Sequence, residues 1–521
     1  MNKDKKEIDS SLGLLAKSAI TLLIGILLSK ILSYVYRVII ARTYGPDIYG
    51  IFLLASSIAG ILIFAVLMGF DSGIVRFIPL YKSKNKIKNI NYISKFSFFT
   101  TLILSIITGF ILFALSNIIS INIFHEPRLI YYLKVFSFLI PVVAVGNYFI
   151  AVLNAYEKIG WYSFIENIWK SFMNVLFLIL LIIIGISSNS VPLSFLIAST
   201  STLIISYIAV HKYTPHETYK VKSKLKTKDK KVTRKEFVSF SLPLLFYSVI
   251  SVIMAWIDSF SIGYFKSATE VGIYNAAVPI ALLLYMAPQL FTKLFLPMIS
   301  REYGNKRIEV IRQLTQQVGK WILLINFPLF LLLFLFPESF IRILFGSEFT
   351  SAATALKILL IGTLFLSISR VSNRLLVMQG RTKIILIDIL IAVTLNFILN
   401  AIFVPMPSIF GLENTSGING AAIATTLASI LIGILFLMQA RNSLSIVPFR
   451  RKMLNLILAG GIVTLITIFI SGFIEINTIF IITISIFFWL LYLFLVIIFK
   501  GLDKNDLLVM NKLLKKISVK N

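Results

Sequence analysis

The sequence has no cysteine and only three histidines, and several familiar catalytic motifs are missing from it. The lack of cysteine excludes disulfides and thiolate chemistry. His125, His211 and His216 fall in predicted loops without the H-E-x-x-H spacing, so we expect no metal site and no metal cofactor. No G-x-x-x-x-G-K-[ST] phosphate loop occurs, which excludes an ATPase of that class. No carboxylate pair is placed for glycosyl chemistry, so we expect a protein that is not an enzyme.

Charge is also scarce, because charged residues make up 14% of the chain while hydrophobic residues make up 58%, with a mean hydropathy of +0.92. A soluble domain is about half apolar and roughly a quarter charged. The apolar excess here lies in about fourteen runs, each close to the ~20 residues that span a bilayer. This pattern predicts an all-α polytopic membrane protein. The predicted spans are 14–40, 48–70, 96–119, 129–153, 164–186, 190–210, 237–263, 271–296, 318–336, 352–378, 383–406, 418–440, 453–471 and 476–499.

The formal net charge is +28, and most of the Lys and Arg residues fall in every second loop and at the two ends of the chain. Cytoplasmic loops of membrane proteins carry such an excess of Lys and Arg. The pattern therefore predicts a multi-pass protein of the cell membrane with both termini in the cytoplasm. It also accounts for the basic balance without a nucleic-acid partner. The polar N-terminus leads into no small-residue cleavage site, so we expect no cleavable signal peptide.

An internal repeat divides the predicted spans. The phrase D-I-Y-G-I-F at 47–52 resembles E-V-G-I-Y at 270–274, and 147–174 resembles 373–396. Equivalent points lie six spans apart, which predicts parallel repeats. We expect two pseudo-symmetric six-helix lobes around a central cavity, followed by two more helices. The predicted domains are an N-lobe at 1–210, a basic linker at 211–236, a C-lobe at 237–440, and two spans with a cytoplasmic tail at 441–521. The linker either lies on the anionic inner leaflet or is a solvated connector.

The few charges inside the spans are candidates for a binding site, because an unpaired charge in the bilayer is costly. Lys30 lies near the middle of the first span, and Tyr34 and Arg37 follow it on the same helical face. A cation at this depth is suited to an anionic cargo in a wet cavity. A structural ion pair is the alternative for Lys30, and snorkelling to the interface is the alternative for Arg37.

Two further charges follow the second span. Asp71 and Arg76 are expected to pair with each other, or with Lys30 across the cavity. We predict a substrate-binding role for Arg76 and an ion-pairing role for Asp71.

In the second half, Arg370 and Arg374 lie one turn apart on span 10, and Lys293 lies near the inner end of span 8. Arginine suits a diphosphate because its planar fork binds oxygens bidentately. We predict that these three residues bind substrate, with snorkelling as the alternative. Asp258 and Asp388 are the acids within the spans of this half, and we expect them to pair with the arginines or to bind a coupling cation.

Several phrases of the chain resemble a known family of transporters. These are S-K-I-L-S-Y-V-Y-R-V-I-I-A-R-T-Y-G-P-D-I-Y-G-I-F, then G-F-D-S-G-I-V-R-F-I-P-L-Y, and the stretch from Met378 onward. The last is the most specific, with a turn at Gly380–Lys383, Asn396 and Asn400 in one helix, Pro405, and then Gly417–Thr425. Together they resemble the polysaccharide flippases of the multidrug/oligosaccharidyl-lipid/polysaccharide exporter superfamily.

The resemblance implies a function. Similar proteins move polyprenyl-phosphate-linked oligosaccharides from the cytoplasmic to the outer leaflet, and in related lipid II flippases a basic residue occupies the position of Lys30. We therefore predict a secondary transporter of such a cargo, acting by alternating access. Its expected partners are the lipid-linked oligosaccharide, membrane lipids, and glycan polymerases and glycosyltransferases.

Three alternatives stay open at this point. A peptidoglycan-precursor flippase of the lipid II type and a cation-coupled multidrug antiporter share the expected fold. The antiporter is disfavoured, because we expect no acid inside spans 1–6 away from their ends. A scaffold that organises glycan enzymes through its basic linker is the third.

Overall fold

The computed structural model describes residues 2–214, 227–474 and 477–502, without the side chains of residues 2–24 and 293–294. His216, the middle of the predicted basic linker and most of the predicted cytoplasmic tail lie outside the described residues. What is described is almost entirely helical, as the apolar runs predict. A two-stranded antiparallel hairpin, β1 (Ser408–Ile409) with β2 (Leu412–Glu413), pairs Ser408 with Glu413.

The helices follow the predicted spans closely. In the first part of the chain they are α1 (Asn2–Leu67), α2 (Phe70–Ser83), α3 (Ile87–Ile118) with a π-helical end (Ile119–Ile123), α4 (Leu129–Ala155), α5 (Ile159–Ser163), a π-helical segment (Phe164–Trp169), α6 (Lys170–Ile183), α7 (Ser190–Tyr213) and α8 (Thr227–Phe265).

The second part of the chain continues in the same way. Its elements are α9 (Ala268–Ala281), a 3₁₀ turn (Leu282–Tyr285), α10 (Met286–Gly304), α11 (Ile308–Leu335), α12 (Pro337–Leu344), a 3₁₀ turn (Ser347–Ala352), α13 (Ala353–Met378), α14 (Thr382–Phe403), α15 (Ile418–Leu444), α16 (Met453–Ser471) and α17 (Thr478–Ile498).

Thirteen segments of the described chain are long and apolar enough to cross a membrane. The first, Gly25–Ser83, has 59 residues. At 1.5 Å per residue it would measure about 88 Å, far more than the ~30 Å of hydrocarbon in a bilayer. It is interrupted at Gly45, whose φ of 73° favours glycine, and at the following Pro46, which lacks a backbone N–H. The segment therefore contributes two crossings, and the described residues contain the fourteen that the sequence predicts.

The surface agrees with a lipid environment. Large apolar side chains stand exposed along several helices, among them Phe110 at 72%, Phe469 at 68% and Ile479 at 73%. Soluble monomers rarely expose continuous apolar surface on this scale. These faces are therefore the ones that contact lipid.

The chain divides into two compact units, 1–272 and 273–521. The core of the first includes Phe70, Phe77, Tyr148 and Phe237. In the second, α11 packs with α13, α16 and α17 around a core that includes Phe488. The first unit contains α8, which the repeat assigns to the second lobe; the assignment of lobes at 1–210 and 237–440 stays a prediction.

Candidate functional site

The predicted cluster on the first span is present within the first unit. Lys30 is exposed on α1, while Tyr34 and Arg37 are partly buried. Arg37 donates a hydrogen bond to the phenol of Tyr49, which lies beyond the interruption at Gly45 and is fully buried. The middle of α1 therefore presents one accessible ammonium, and one guanidinium that is held by a neutral partner.

Arg76 is exposed on α2, and its guanidinium lies over the ring of Phe240, 4.1 Å from the centroid. This cation–π contact orients the guanidinium without neutralising it. Among the described residues Asp71 forms no ion pair with Arg76 or with Lys30. The cation therefore keeps its charge for another partner.

In the second unit, Arg370 is exposed on α13 and lies over the ring of Tyr285, 4.3 Å from the centroid. Tyr285 ends the 3₁₀ turn between α9 and α10. Arg374 follows one turn later and is partly buried. Lys293 belongs to α10, but its side chain lies outside the described residues.

The two acids of the second half differ in their surroundings. Asp258 is partly buried on α8, in the first unit. Asp388 on α14 is 2% exposed, and its Oδ1 accepts a hydrogen bond of 2.7 Å from the amide of Gln439 on α15. The hydrogen-bond partner of Asp388 in the second unit is therefore an amide, where the sequence predicted either an arginine or a coupling cation.

One charge pair within a helical segment of the first unit was not predicted from the sequence. Glu166 and Lys170 lie within the membrane-spanning segment Ile159–Ile183, and their charged atoms are 3.9 Å apart. The sequence predicted no acid inside spans 1–6 away from their ends. The helical segment begins at Ile159, five residues before the predicted span, so Glu166 lies seven residues from its start. The one available signal was the i,i+4 spacing of a glutamate and a lysine.

The position of this pair relative to α1 is fixed by contacts between helices. Ser29 on α1 and Ser171 on α6 share a hydrogen bond of 2.8 Å. Gly25 packs against the side chains of Ser163 and Asn167. Lys30 and Lys170 are sequence neighbours of the two bonded serines, so they lie within one helical turn of the same level.

The second unit contains a network of hydrogen-bonded asparagine side chains. In the sequence, two of them stood out only as part of the stretch that resembles the family. Asn400 donates to Oδ1 of Asn396 at 2.7 Å, and Asn396 donates to Thr425 at 3.2 Å. Asn414 donates to the carbonyl oxygens of Phe403 and Met406 and accepts from the amide of Gly420.

The repeated phrase D-I-Y-G and its counterpart E-V-G meet in the first unit. A Cβ on Gly50 would overlap the carbonyl oxygen of Ala268, and a Cβ on Gly272 would overlap that of Pro46. The contact is reciprocal: Gly50 packs on the carbonyl group four residues before Gly272, and Gly272 packs on the carbonyl group four residues before Gly50. Beside it, Thr269 donates to Asp47 at 2.6 Å. The two phrases of the predicted repeat are thus in contact, and the repeat itself stays a prediction.

The family is decided by a comparison with family models. The model described as "Polysaccharide biosynthesis protein" matches residues 15–302, more than half of the chain. The chain belongs to this family. The model of the MatE transporters also matches, at residues 243–402. Both belong to the superfamily that the sequence phrases resemble, so the predicted family is confirmed.

Three curated proteins show what the family includes. An uncharacterized membrane protein of Methanocaldococcus jannaschii is 25% identical over 87% of this chain and 89% of its own length. A probable low-salt glycan biosynthesis flippase of Haloferax volcanii is 28% identical over 35% of this chain and 38% of its own. A teichuronic acid biosynthesis protein of Bacillus subtilis is 25% identical over 54% and 56%.

Solved structures share the fold. A lipid II flippase in an inward closed conformation superimposes with a TM-score of 0.73 at 20% identity, covering 92% of this chain and 98% of that one. An inward-facing multidrug transporter gives 0.65 at 15% identity, covering 80% and 94%. At these identities the likeness shows the fold, which is that of all-α polytopic membrane transporters. The chain is thus a membrane protein of polysaccharide biosynthesis with a transporter fold.

Proposed function

We propose that this protein flips a polyprenyl-(di)phosphate-linked oligosaccharide from the cytoplasmic to the outer leaflet, for the synthesis of a cell-surface glycan. The observation that carries the proposal is the sign of the charge in the middle of the first unit. There the cations Lys30, Arg37 and Lys170 lie on α1 and α6. The acids in the described part of this unit include Glu166, next to Lys170, and Asp258 on α8. Cations inside the membrane lower the cost of carrying a phosphate across it.

Family membership supports the same cargo, since one matched relative is named as a glycan biosynthesis flippase. In this proposal the sugar-diphosphate head contacts Lys30, Tyr34, Arg37 and Arg76 in the first unit, and the lipid tail stays in the bilayer. Substrate binding by Lys293, Arg370 and Arg374 of the second unit stays a prediction. The two six-helix lobes, 1–210 and 237–440, open alternately to the two leaflets. Both termini lie in the cytoplasm, and glycan polymerases and glycosyltransferases act before and after the transport step.

The proposal is tested with the purified protein in proteoliposomes that contain a fluorescently labelled polyprenyl-diphosphate oligosaccharide. We expect the label to reach the opposite leaflet faster than in protein-free vesicles, as measured by its loss to a membrane-impermeant quencher. Flipping at the protein-free rate would overturn the proposal.

A multidrug antiporter is the second candidate, and two observations favour it: the MatE match and the carboxylate of Glu166 inside a span. Such a transporter would extrude a cationic dye from vesicles along a proton or sodium gradient. We expect no gradient-driven dye movement, because the accessible charges near Glu166 are mainly basic and repel a cation.

A further inference from the structure

Lys170 of the pair Glu166–Lys170 lines a small pocket of the first unit, between α4, α6 and α7. The pocket has a volume of about 10 Å³, which is room for one water-sized group such as a single oxygen of an anion. Its polar lining consists of Lys170, Asn147, Ser199 and Thr202. The ammonium, the amide and the hydroxyl of Ser199 can donate to an oxyanion, whereas Thr202 donates its hydroxyl to the carbonyl oxygen of Ala198 at 2.9 Å.

The charged atoms are accessible and only loosely joined. The side chain of Lys170 is 31% exposed and that of Glu166 35% exposed, and their separation of 3.9 Å exceeds that of a charge-assisted hydrogen bond. A weak pair of this kind can exchange one partner for another anion. Within the bilayer such a pair is costly to maintain, which favours a functional role over a structural one.

The backbone around the pair is unusual as well. The π-helical segment Phe164–Trp169 ends directly before Lys170 and contains Glu166. Such segments are frequent at functional sites. Nε1 of Trp169, the residue before Lys170, is buried and has no hydrogen-bond partner among the described residues. One hydrogen-bond donor is thus left over beside Lys170.

We propose that Lys170 binds an oxyanion of the transported molecule and that Glu166 is its internal competitor. Glu166 holds the ammonium when no cargo is bound and yields it when the cargo anion enters the pocket. The oxyanion is either an oxygen of the lipid diphosphate or the carboxylate of an acidic sugar. The inference rests on the proposed function, and it adds a site on α6 to the cations on α1.

The test compares Lys170→Gln, Glu166→Gln and the double variant with the wild type. Initial flipping rates are measured against the amount of labelled lipid-linked sugar. We expect Lys170→Gln to raise KM about tenfold, which corresponds to about 1.4 kcal/mol of lost binding. Glu166→Gln removes the competitor, so we expect it to lower KM and to slow release, which lowers kcat. The double variant should resemble Lys170→Gln.

A matched control uses Lys134→Gln, which changes a lysine of the same unit that lies against the ring of Phe113 and not against a carboxylate. We expect it to leave KM unchanged. If Glu166–Lys170 were only a structural pair, both single variants would change KM in the same direction or not at all. Either result would overturn the inference. If the wild type still flips the labelled lipid, the proposed function stands.

Binding is also measured without transport, through the thermal stabilisation of the detergent-solubilised protein by the lipid-linked sugar. A ligand that binds the folded state raises its stability with concentration. We expect Glu166→Gln to be stabilised most and Lys170→Gln least. If the lipid-linked sugar stabilises all variants equally, the inference is overturned. If the variants follow the expected ranking but the wild type does not flip the sugar, only the proposed function is overturned.

Two cargoes distinguish the source of the oxyanion. A polyprenyl diphosphate with a neutral sugar is compared with one that carries a uronic acid. If Lys170 binds the diphosphate, Lys170→Gln weakens both equally. If Lys170 binds the carboxylate, only the acidic sugar is affected.

Discussion

The polar interiors of the two units are built from different groups. In the first unit, α1 and α6 carry Lys30 and Lys170, which are accessible and charged. In the second unit, α14 carries Asn396 and Asn400, which are buried and hydrogen-bonded to each other and, through Asn396, to Thr425 on α15. An accessible charge within the membrane lowers the stability of the protein but can bind a charged ligand. A buried, hydrogen-bonded amide network instead stabilises the packing of helices. We therefore expect substitutions in the first interior to change transport, and those in the second to change folding.

The largest effect on stability is expected at Asn414 in the second unit. Asn414→Ala removes two donated bonds of 2.8 and 2.7 Å and one accepted bond of 2.8 Å. At about 1 kcal/mol for each bond, the free energy of unfolding should fall by about 3 kcal/mol. Unfolding in detergent measures it. Asn419→Ala, which removes the side-chain bond to the carbonyl of Glu413, is the control. Equal losses in the two variants would contradict the account.

A smaller effect is expected where the repeated phrases meet in the first unit. Gly50→Ala and Gly272→Ala each place a methyl group on a carbonyl oxygen, which should destabilise the protein by about 1–3 kcal/mol. The control is Gly60→Ala in the same helix, where nothing lies within 4 Å of the new Cβ. That change should be neutral or stabilising by about 0.5–1 kcal/mol. If the free energy of unfolding is the same for all three variants, the helices do not pack tightly at Gly50 and Gly272.

The smallest effect is expected at Asp388. Its charge is not needed for packing, because Asp388→Asn keeps an oxygen for the amide of Gln439. We expect the free energy of unfolding to change by less than about 0.5 kcal/mol and flipping to be retained. Loss of flipping with normal folding would instead make Asp388 a coupling group, and the contrast between the two interiors would fail.

The sequence predicted the spans and the family because each depends on local patterns. Apolar runs of bilayer length and the phrases shared with the family are visible one segment at a time. The partners of single side chains were not predictable in this way. Gln439 lies 51 residues from Asp388, and nothing in the sequence indicates which amide will face that carboxylate.

Glu166–Lys170 shows a different limit. Its spacing was visible, but the span was expected to begin at residue 164, which put Glu166 at the interface. The helix begins at Ile159, and the π-helical segment that precedes Lys170 has no recognised sequence signature. The difference between sequence and structure is therefore one of helix boundary.

The central claim is that cations in the first unit carry an anionic cargo. It is tested most directly by flipping of the labelled polyprenyl-diphosphate oligosaccharide in proteoliposomes that contain Lys30→Ala combined with Arg76→Ala. Neither side chain forms an ion pair among the described residues, so the double variant should insert and fold as the wild type does. We predict that flipping falls to the rate of protein-free vesicles. Flipping at the wild-type rate would contradict the account.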